Sequence, residues 1–522
     1  MTSDTFSQHS QKIAKRFLLT ALVIDDQLTI PSDSSVRGNL QKPTRETLSK
    51  KQGTSSEKTS LRTIDVNRIT QSFARQGMIC GTISPQDEQS DYENLVKTAA
   101  RADILILDWQ LNTQTNENVL PLIQEILNNH LKNQLRLIAI YTGETEPDQI
   151  LNQIRGVFHE GDQTDFSGNE HNRIDLGSHR IMVYLKPGTA SRHENLIVDE
   201  RGLVDHLIAD FANKIAGLMS GLALTALTAV RENVYRILKC FGSDLDPAFL
   251  AHRACLPQPQ DSEQHIIEQI TSELYGIIND VITDQPSPAG IEAIKRWCDE
   301  RFEEDQVIFK NPKIYKEGVL KILEYGIENQ KAPMKGKNYN LLSDGFSKGS
   351  SSSNELDHRL ASLMCFRQVF TESLRQLSTG TVIKCLDDQE FLLCITPKCD
   401  TVRLKNPTPF LFLNLRSETI GSALKLVVPV TEKEFQIMKI SMHPTDWRII
   451  EFEPKSDSKC VTTELSESDQ IYFLGNADNR KYQWIGELKP EFAQTIAHSI
   501  GQTMSRVPIN KSEWLRREEK KG

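Results

Sequence analysis

The sequence contains no closely spaced cysteine pairs. Nine cysteines are scattered over 522 residues, and none belongs to a Cys-x-x-Cys pattern of the kind that structural zinc sites use. Unpaired cysteines are typical of reduced thiols, which favours a cytoplasmic protein. We also expect no signal peptide, because the apolar run at 17–24 is followed at once by two acidic residues.

Long apolar runs are scarce as well. The longest uncharged stretch, 215–230, is too short to span a bilayer comfortably, so we expect no membrane association. We predict that it belongs to one long helix at about 201–240. Four small residues on that helix would let another helix pack closely, either from the same chain or from a second copy in a homodimer: Ala216, Gly217, Ser220 and Gly221.

An excess of positive charge is missing too. The net charge of −9 and the pI near 5.8 argue against DNA binding, because duplex affinity depends largely on Lys and Arg. No basic helical patch with helix-turn-helix spacing occurs, so we expect no nucleic acid partner. The 38% of hydrophobic and 25% of charged residues are typical of soluble globular chains, and 522 residues are enough for two to four domains.

Four apolar, strand-like runs end in polar side chains. They are LVIDD at 22–26, ILILD at 104–108, LIAIYT at 137–142 and IMVYLKP at 181–187. In a parallel sheet flanked by helices, the carboxyl ends of the strands converge on one crevice, where such folds bind their ligands. We therefore predict an α/β fold with a binding site at this edge of the sheet.

These side chains suit the transfer of a phosphoryl group to a carboxylate. Asp25, Asp26 and Asp108 would repel one another in one crevice, so they imply Mg²⁺ or a similar divalent cation. Asp108 could act as the nucleophile. Lys186 would be the fixed cation and Thr142 the hydroxyl donor to the charged phosphoryl oxygens.

The set and its order resemble the receiver domain of two-component response regulators, including the Lys-Pro pair at 186–187. The likeness covers roughly residues 15–215. It implies a doubly wound, five-stranded parallel sheet of order 2-1-3-4-5. It also implies that a histidine kinase supplies the phosphoryl group.

The resemblance further implies roles for single residues. Asp108 would be phosphorylated, and Asp25, Asp26, Asp108 and the backbone carbonyl of Gln110 would hold Mg²⁺. Gln110 and Glu144, each two positions beyond a site residue, could flank the water that hydrolyses the phosphoaspartate. We therefore expect a short-lived phosphoryl state.

Three features depart from the receiver pattern. The aromatic residue expected three positions before the lysine is replaced by Val183, and the neighbouring Tyr184 should lie on the opposite face of its strand. Insertions are predicted at 31–62, as a solvated linker or a docking arm with seven basic and three acidic residues, and at 159–179. We interpret the histidines of the second insertion as polar loop residues: His159, His171 and His179.

Beyond residue 215 the pattern changes. We predict a receiver domain at 1–215, a helical domain at 216–330, a linker at 331–354 and a β-rich carboxy-terminal domain at 355–522. The predicted helices lie at about 262–283, 288–303, 313–329, 355–377 and 489–505. Short alternating strands at 381–474 and 482–488 indicate a small barrel or curled sheet.

One cluster in the β-rich part has chemical potential. Cys385, Cys394 and Cys399 could ligate zinc, or Cys399 could be a nucleophile near Asp400 and His443. The spacing argues against zinc, and an adjacent carboxylate raises rather than lowers a thiol pKa. We therefore favour buried structural cysteines near a tight turn.

The function that follows from the resemblance is that of a bacterial signalling protein whose catalysis is limited to its own phosphorylation and dephosphorylation. Its order of domains is similar to that of receiver proteins in two-component-like antiphage defence systems, where such a protein can act as a phosphate sink or relay. The later domains would contact a downstream effector protein. Two alternatives remain open, a receiver-fold scaffold that is not phosphorylated and an effector enzyme in the carboxy-terminal half.

Overall fold

A computed structural model describes residues 4–504 with several gaps. The residues outside the description are 1–3, 30–62, 86–88, 112–118, 129–133, 158–171, 177–178, 285, 311, 330–341, 348–352, 371–373, 418–423, 432–433, 442, 466–470, 476–479 and 505–522. The chain forms two compact units, Met1–Glu304 and Asp305–Gly522. The insertion predicted at 31–62 lies outside the described residues, as do His159 and His171.

The first unit is built on a six-stranded sheet with helices on both faces. Its elements are α1 (Phe6–Phe17), β1 (Thr20–Ile24), β2 (Leu28–Thr29), β3 (Ile64–Asp65), α2 (Val66–Arg75), β4 (Ile79–Ile83), α3 (Gln89–Ala99), β5 (Ile104–Leu107), α4 (Leu120–Asn128), β6 (Arg136–Thr142), α5 (Pro147–Val157), β7 (Arg173–Leu176), β8 (His179–Leu185) and α6 (Glu200–Lys214). The strand order is β4-β1-β5-β6-β8-β7. The first five strands pair in parallel, which confirms the predicted order 2-1-3-4-5.

The sixth strand was not predicted. β7 pairs antiparallel with β8 at the edge of the sheet, with Ile174 opposite Ile181. β7 lies within the predicted insertion at 159–179, and the interpretation of His179 as a polar loop residue is wrong, because His179 is a buried residue of β8. Half-buried and buried side chains alternate along β7, as expected of an edge strand. Buried parallel strands are recognised in the sequence by continuous apolar runs, and β7 has no such run.

The central strands are apolar throughout because both faces of the sheet are covered. On one face the side chains of Leu107 and Val183 pack under α3, α4 and α5. On the other face Val23 and Tyr184 pack under α1, α2 and α6. This two-sided burial explains the continuous hydrophobic runs and places the strand ends at one rim.

The helix predicted at about 201–240 is broken, so that prediction is wrong. α6 ends at Lys214, and α7 (Leu218–Glu232) leaves it at an angle of 114° before α8 (Val234–Cys240) continues the chain. The hydroxyl of Ser220 donates to the carbonyl of Ile215 at 2.6 Å, which satisfies a carbonyl at the end of α6. The bend lets α7 fold back beside α1.

Three further helices complete the first unit: α9 (Asp246–Cys255), α10 (Asp261–Asp284) and α11 (Ile291–Arg301). A Cβ placed on Gly221 of α7 would lie 3.4 Å from Ile13 and 3.6 Å from Pro288. This small residue therefore allows close packing inside its own chain. The domain boundaries at 215 and 330 stay predictions, although the helices that follow residue 215 belong to the same compact unit as the sheet.

The second unit is rich in β-strands. Its elements are β9 (Phe309–Lys310), β10 (Lys313–Ile314), α12 (Lys316–Tyr325), α13 (Leu342–Ser347), α14 (Ser353–Cys365), β11 (Thr381–Cys385), β12 (Phe391–Cys394), β13 (Thr408–Arg416), β14 (Lys425–Pro429), β15 (Phe435–Ile440), β16 (Trp447–Phe452), β17 (Glu464–Leu465), β18 (Ile471–Leu474), β19 (Lys481–Glu487) and α15 (Pro490–Met504). Nine strands form one antiparallel sheet in which β13 pairs with β12, β15 and β16. A β-rich carboxy-terminal region is thus confirmed.

Two predictions for this unit need correction. The helix predicted at about 355–377 ends at Cys365, and the predicted linker contains α13 at Leu342–Ser347.

Within the described ranges, no single helix is long and apolar enough to cross a membrane, while the bent pair α6 and α7 meets that test jointly by length and composition.

Candidate functional site

Four strands bring the predicted site residues to one rim of the sheet. Asp25 follows β1, Asp108 follows β5, Thr142 ends β6 and Lys186 follows β8. The strands are parallel and in register, with Ile24 beside Leu107, Leu107 beside Ile140 and Thr142 beside Leu185. Residues far apart in the sequence therefore meet at the carboxyl ends of the strands.

Three carboxylates form a compact cluster at this rim. One oxygen from each of Asp25, Asp26 and Asp108 lies within 4.8 Å of the others. Asp25 is fully buried and accepts a hydrogen bond from the backbone N–H of Gln27 at 2.6 Å. Oδ1 of Asp26 is buried and has no hydrogen-bond partner among the described residues. This oxygen-rich donor set, with one unsatisfied atom, fits a hard divalent cation such as Mg²⁺.

Lys186 connects two of these carboxylates. Its Nζ lies 2.7 Å from Oδ2 of Asp25 and 2.9 Å from Oδ2 of Asp108. Burial disfavours the charge, but the two carboxylates outweigh burial and raise the pKa of Lys186 above its ordinary value. The ammonium group is therefore a permanent cation within reach of any group bound to Asp108.

The pKa of Asp108 is also displaced. Burial raises the pKa of this carboxyl to about 6, with contributions from Asp25 and Asp26 that Lys186 only partly offsets. A buried carboxylate that is costly to ionise is stabilised by a nearby cation. The cluster thus favours ligands that carry positive charge.

Thr142 lies close to Glu144, one of the two residues predicted to flank the hydrolytic water. It is buried, and its Oγ1 accepts a hydrogen bond from the backbone N–H of Glu144 at 3.2 Å. Its carbonyl accepts from the backbone N–H of Lys186 at 2.8 Å, which fixes the ends of β6 and β8 to each other. The side-chain amide of Gln110 donates to the carboxylate of Glu144, so these two predicted residues meet.

The two residues considered for a switch lie on opposite faces of β8. Val183 packs in the core under α3, α4 and α5, and Tyr184 packs in the core under α1, α2 and α6. Sequence reasoning missed Tyr141, whose ring lies 6.0 Å from Nζ of Lys186 and whose hydroxyl donates to the carbonyl of Val198 at 2.7 Å. The sequence signal that could have identified Tyr141 is its position directly before Thr142, which places the two side chains on opposite faces of the strand.

Among the described residues, the cysteines of the β-rich unit belong to no group of three or more potential metal ligands. Cys385 and Cys394 are buried, and burial raises the pKa of the Cys394 thiol to about 12. Cys399 is exposed, contrary to the structural prediction for it, with its Sγ 3.4 Å from Asp400. Across the described ranges, the acidic cluster is the one group of three or more His, Cys, Asp or Glu side chains that could hold a metal ion.

Comparison with known proteins agrees with this geometry. Residues 17–191 match the family model of the response receiver domain. No curated protein and no solved structure matches the chain. The matched segment begins in α1 and ends beyond Lys186, so it includes all the residues of the acidic cluster. Residues 17–191 are therefore a response receiver domain, the phospho-accepting module of response-regulator-like signalling proteins.

Proposed function

We propose that this protein accepts a phosphoryl group from a histidine kinase onto Asp108 in a reaction that depends on Mg²⁺. The observation that carries the proposal is the position of Lys186, 2.7 Å from Asp25 and 2.9 Å from Asp108. A buried cation beside a carboxylate is the arrangement that phosphoryl transfer needs, because negative charge spreads over the phosphoryl oxygens in the transition state.

The proposed step moves one phosphoryl group. A carboxylate oxygen of Asp108 attacks the phosphorus of the kinase phosphohistidine, the phosphorus–nitrogen bond breaks, and its electron pair stays on the imidazole. Lys186 leaves Asp108 to contact a phosphoryl oxygen while it stays near Asp25, and the hydroxyl of Thr142 donates to a second oxygen. Asp25, Asp26, Asp108 and the carbonyl of Gln110 would hold Mg²⁺, which neutralises charge on the phosphoryl oxygens when it is bound.

Labelling with acetyl phosphate tests the proposal. The full chain is incubated with acetyl phosphate and Mg²⁺, and the phosphoprotein is separated on a phosphate-affinity gel. We expect one phosphorylated species that is lost in Asp108→Asn and after addition of EDTA, and retained in the control Asp148→Asn, which alters a partly exposed carboxylate on α5. An unphosphorylated wild-type chain would instead support the scaffold alternative.

The finer roles belong to the same proposal. We infer a short-lived phosphoryl state, because the paired side chains of Gln110 and Glu144 could orient the attacking water. A rapidly hydrolysed phosphoaspartate suits a phosphate sink or relay in a cytoplasmic defence system with a downstream effector protein. The lifetime is measured by following the phosphorylated species after removal of acetyl phosphate. Glu144→Ala should lengthen it, and an unchanged lifetime would argue against this role.

A further inference from the structure

A polar cleft lies in the first unit, where α1, α7, α10 and α11 meet. Its volume is about 330 Å³, within the range of small-molecule sites. It is lined by Asp4, His9, Lys12, Ile13, Arg16, Thr225, Thr228, Val281, Ile282, Pro286, Ser287, Pro288 and Arg296. None of these residues lies within 17–191, so the cleft is separate from the receiver domain and its acidic crevice.

The charged groups of the cleft are mostly cationic. Lys12, Arg16 and Arg296 face a single lining carboxylate, Asp4, which pairs with Lys12. Arg16 pairs with Glu232 on α7, outside the lining. Among the described residues no carboxylate lies within ion-pair distance of Arg296. The guanidinium of Arg296 is therefore the group that an incoming anion would meet without displacing a carboxylate.

His9 adds an unsatisfied polar atom at the same place. Burial, together with the positive charges of Arg296 and Lys12, lowers the pKa of His9, so its ring is neutral at neutral pH. Nη1 of Arg296 lies 3.5 Å from Nδ1 of His9, at the long limit of a hydrogen bond, which leaves the ring proton on Nε2. Nε2 is buried and has no partner among the described residues. Such groups are uncommon and costly without an acceptor.

The remaining walls of the cleft are apolar. Val281 and Ile282 lie in the last turn of α10, Ile13 lies on α1, and Pro286 and Pro288 lie in the connection to α11. A bare inorganic ion would leave this surface exposed to water. A ligand that combines one oxyanion with a compact apolar body would satisfy both parts of the lining.

We propose that this cleft binds a small organic anion, a phosphate or carboxylate carried on an apolar body, with Arg296 as its main cationic contact. An oxygen of that group beside Arg296 would also supply the acceptor that His9 lacks. The cleft is formed by α1 and α7, which pack on the receiver sheet, together with α10 and α11, which follow in the chain. A bound anion would therefore hold the added helices to the receiver.

Isothermal titration of the full chain with phenyl phosphate, benzoate and inorganic phosphate tests the proposal. The Asp108→Asn background removes the phospho-accepting carboxylate. We expect saturable binding of phenyl phosphate or benzoate at one site, and the stronger of the two identifies the preferred oxyanion. Inorganic phosphate should bind at least about tenfold more weakly, since it gains nothing from the apolar walls.

Variants separate the cleft from general charge effects. Arg296→Gln should weaken binding by about tenfold or more, because a charge-assisted hydrogen bond is lost. Lys295→Gln, the neighbour on α11 outside the lining, should change it less than about twofold. Ile282→Glu, which adds a carboxylate at a half-buried wall position, should abolish binding while the circular dichroism spectrum is kept. Absence of saturable binding by all three probes, equal binding of inorganic phosphate, or unchanged affinity in Arg296→Gln would overturn the proposal.

Discussion

The hydroxyl of Tyr184 donates a hydrogen bond to the carboxylate of Asp210 on α6. The bond holds the aromatic side chain under α6, on the face of β8 opposite Val183. Burial raises the pKa of Asp210, and the Tyr184 bond partly offsets that effect. Tyr184 thus ties the last receiver strand to the helix that follows it.

Replacing Tyr184 by Phe should loosen that helix without affecting phosphorylation. Loss of a hydrogen bond to a buried carboxylate costs about 1–3 kcal/mol, so amides of β8 and α6 should exchange roughly tenfold faster with solvent. Hydrogen exchange followed by mass spectrometry measures this change. Tyr275→Phe, at a tyrosine that is 71% exposed, is the matched control. A slower phosphorylation of Asp108 in Tyr184→Phe would mean that the hydroxyl takes part in the switch.

Binding of Mg²⁺ should depend on pH through Asp108. Its pKa is raised to about 6 by burial, so below pH 6 a bound cation must displace a proton, whereas above pH 6 the carboxylate is already ionised. The affinity should fall about tenfold per pH unit below 6 and level off above it. Fluorescence of Trp109, adjacent to Asp108 and buried, reports the titration, and Trp109→Phe identifies its signal.

Asp108→Asn should bind Mg²⁺ more weakly and lose most of this pH dependence. Asp26→Asn should weaken binding but keep the pH dependence, because Asp26 supplies an oxygen while Asp108 supplies the displaced proton. A wild-type affinity that stays constant between pH 5 and 7 would contradict the assignment.

Replacing Lys186 by Met should separate cation binding from phosphoryl transfer. The variant removes the positive charge between Asp25 and Asp108, so Mg²⁺ should bind more tightly. Phosphorylation by acetyl phosphate should slow by about 10²–10³-fold, since one stabilising contact to the transition state is lost. Lys97→Met, at an exposed lysine of α3, is the control. A variant that lost both properties would indicate a disrupted site rather than a missing contact.

The cysteines of the β-rich unit should differ in reactivity. Cys399 is exposed, whereas Cys394 is buried with a thiol pKa raised to about 12, so almost none of it is thiolate at pH 8. Iodoacetamide at that pH should alkylate Cys399 and leave Cys394 unmodified in the folded chain, as peptide mass spectrometry would reveal. Alkylation of Cys394 at the rate of Cys399 would show that this core opens readily.

A loss of signalling output in Cys399→Ala would support the effector-enzyme alternative.

Much of the receiver could be predicted because its signals are local. Continuous apolar runs predict buried parallel strands, and a polar residue directly after such a run must lie at the rim of the sheet. The sequence alone therefore predicted that four side chains lie at the rim of the sheet: Asp25, Asp108, Thr142 and Lys186. The edge strand β7 escaped prediction because a four-residue strand at 173–176 has too little pattern to stand out from a loop.

By itself the sequence determined which side chains end the central strands and in what order, since strand burial follows from side-chain hydrophobicity alone. Only the tertiary structure decided that Lys186 contacts two carboxylates at once, that the chain bends by 114° after α6, and that Arg296 lies beside His9. Those relationships join residues up to 287 positions apart, and they depend on strand pairing and helix packing rather than on any local pattern.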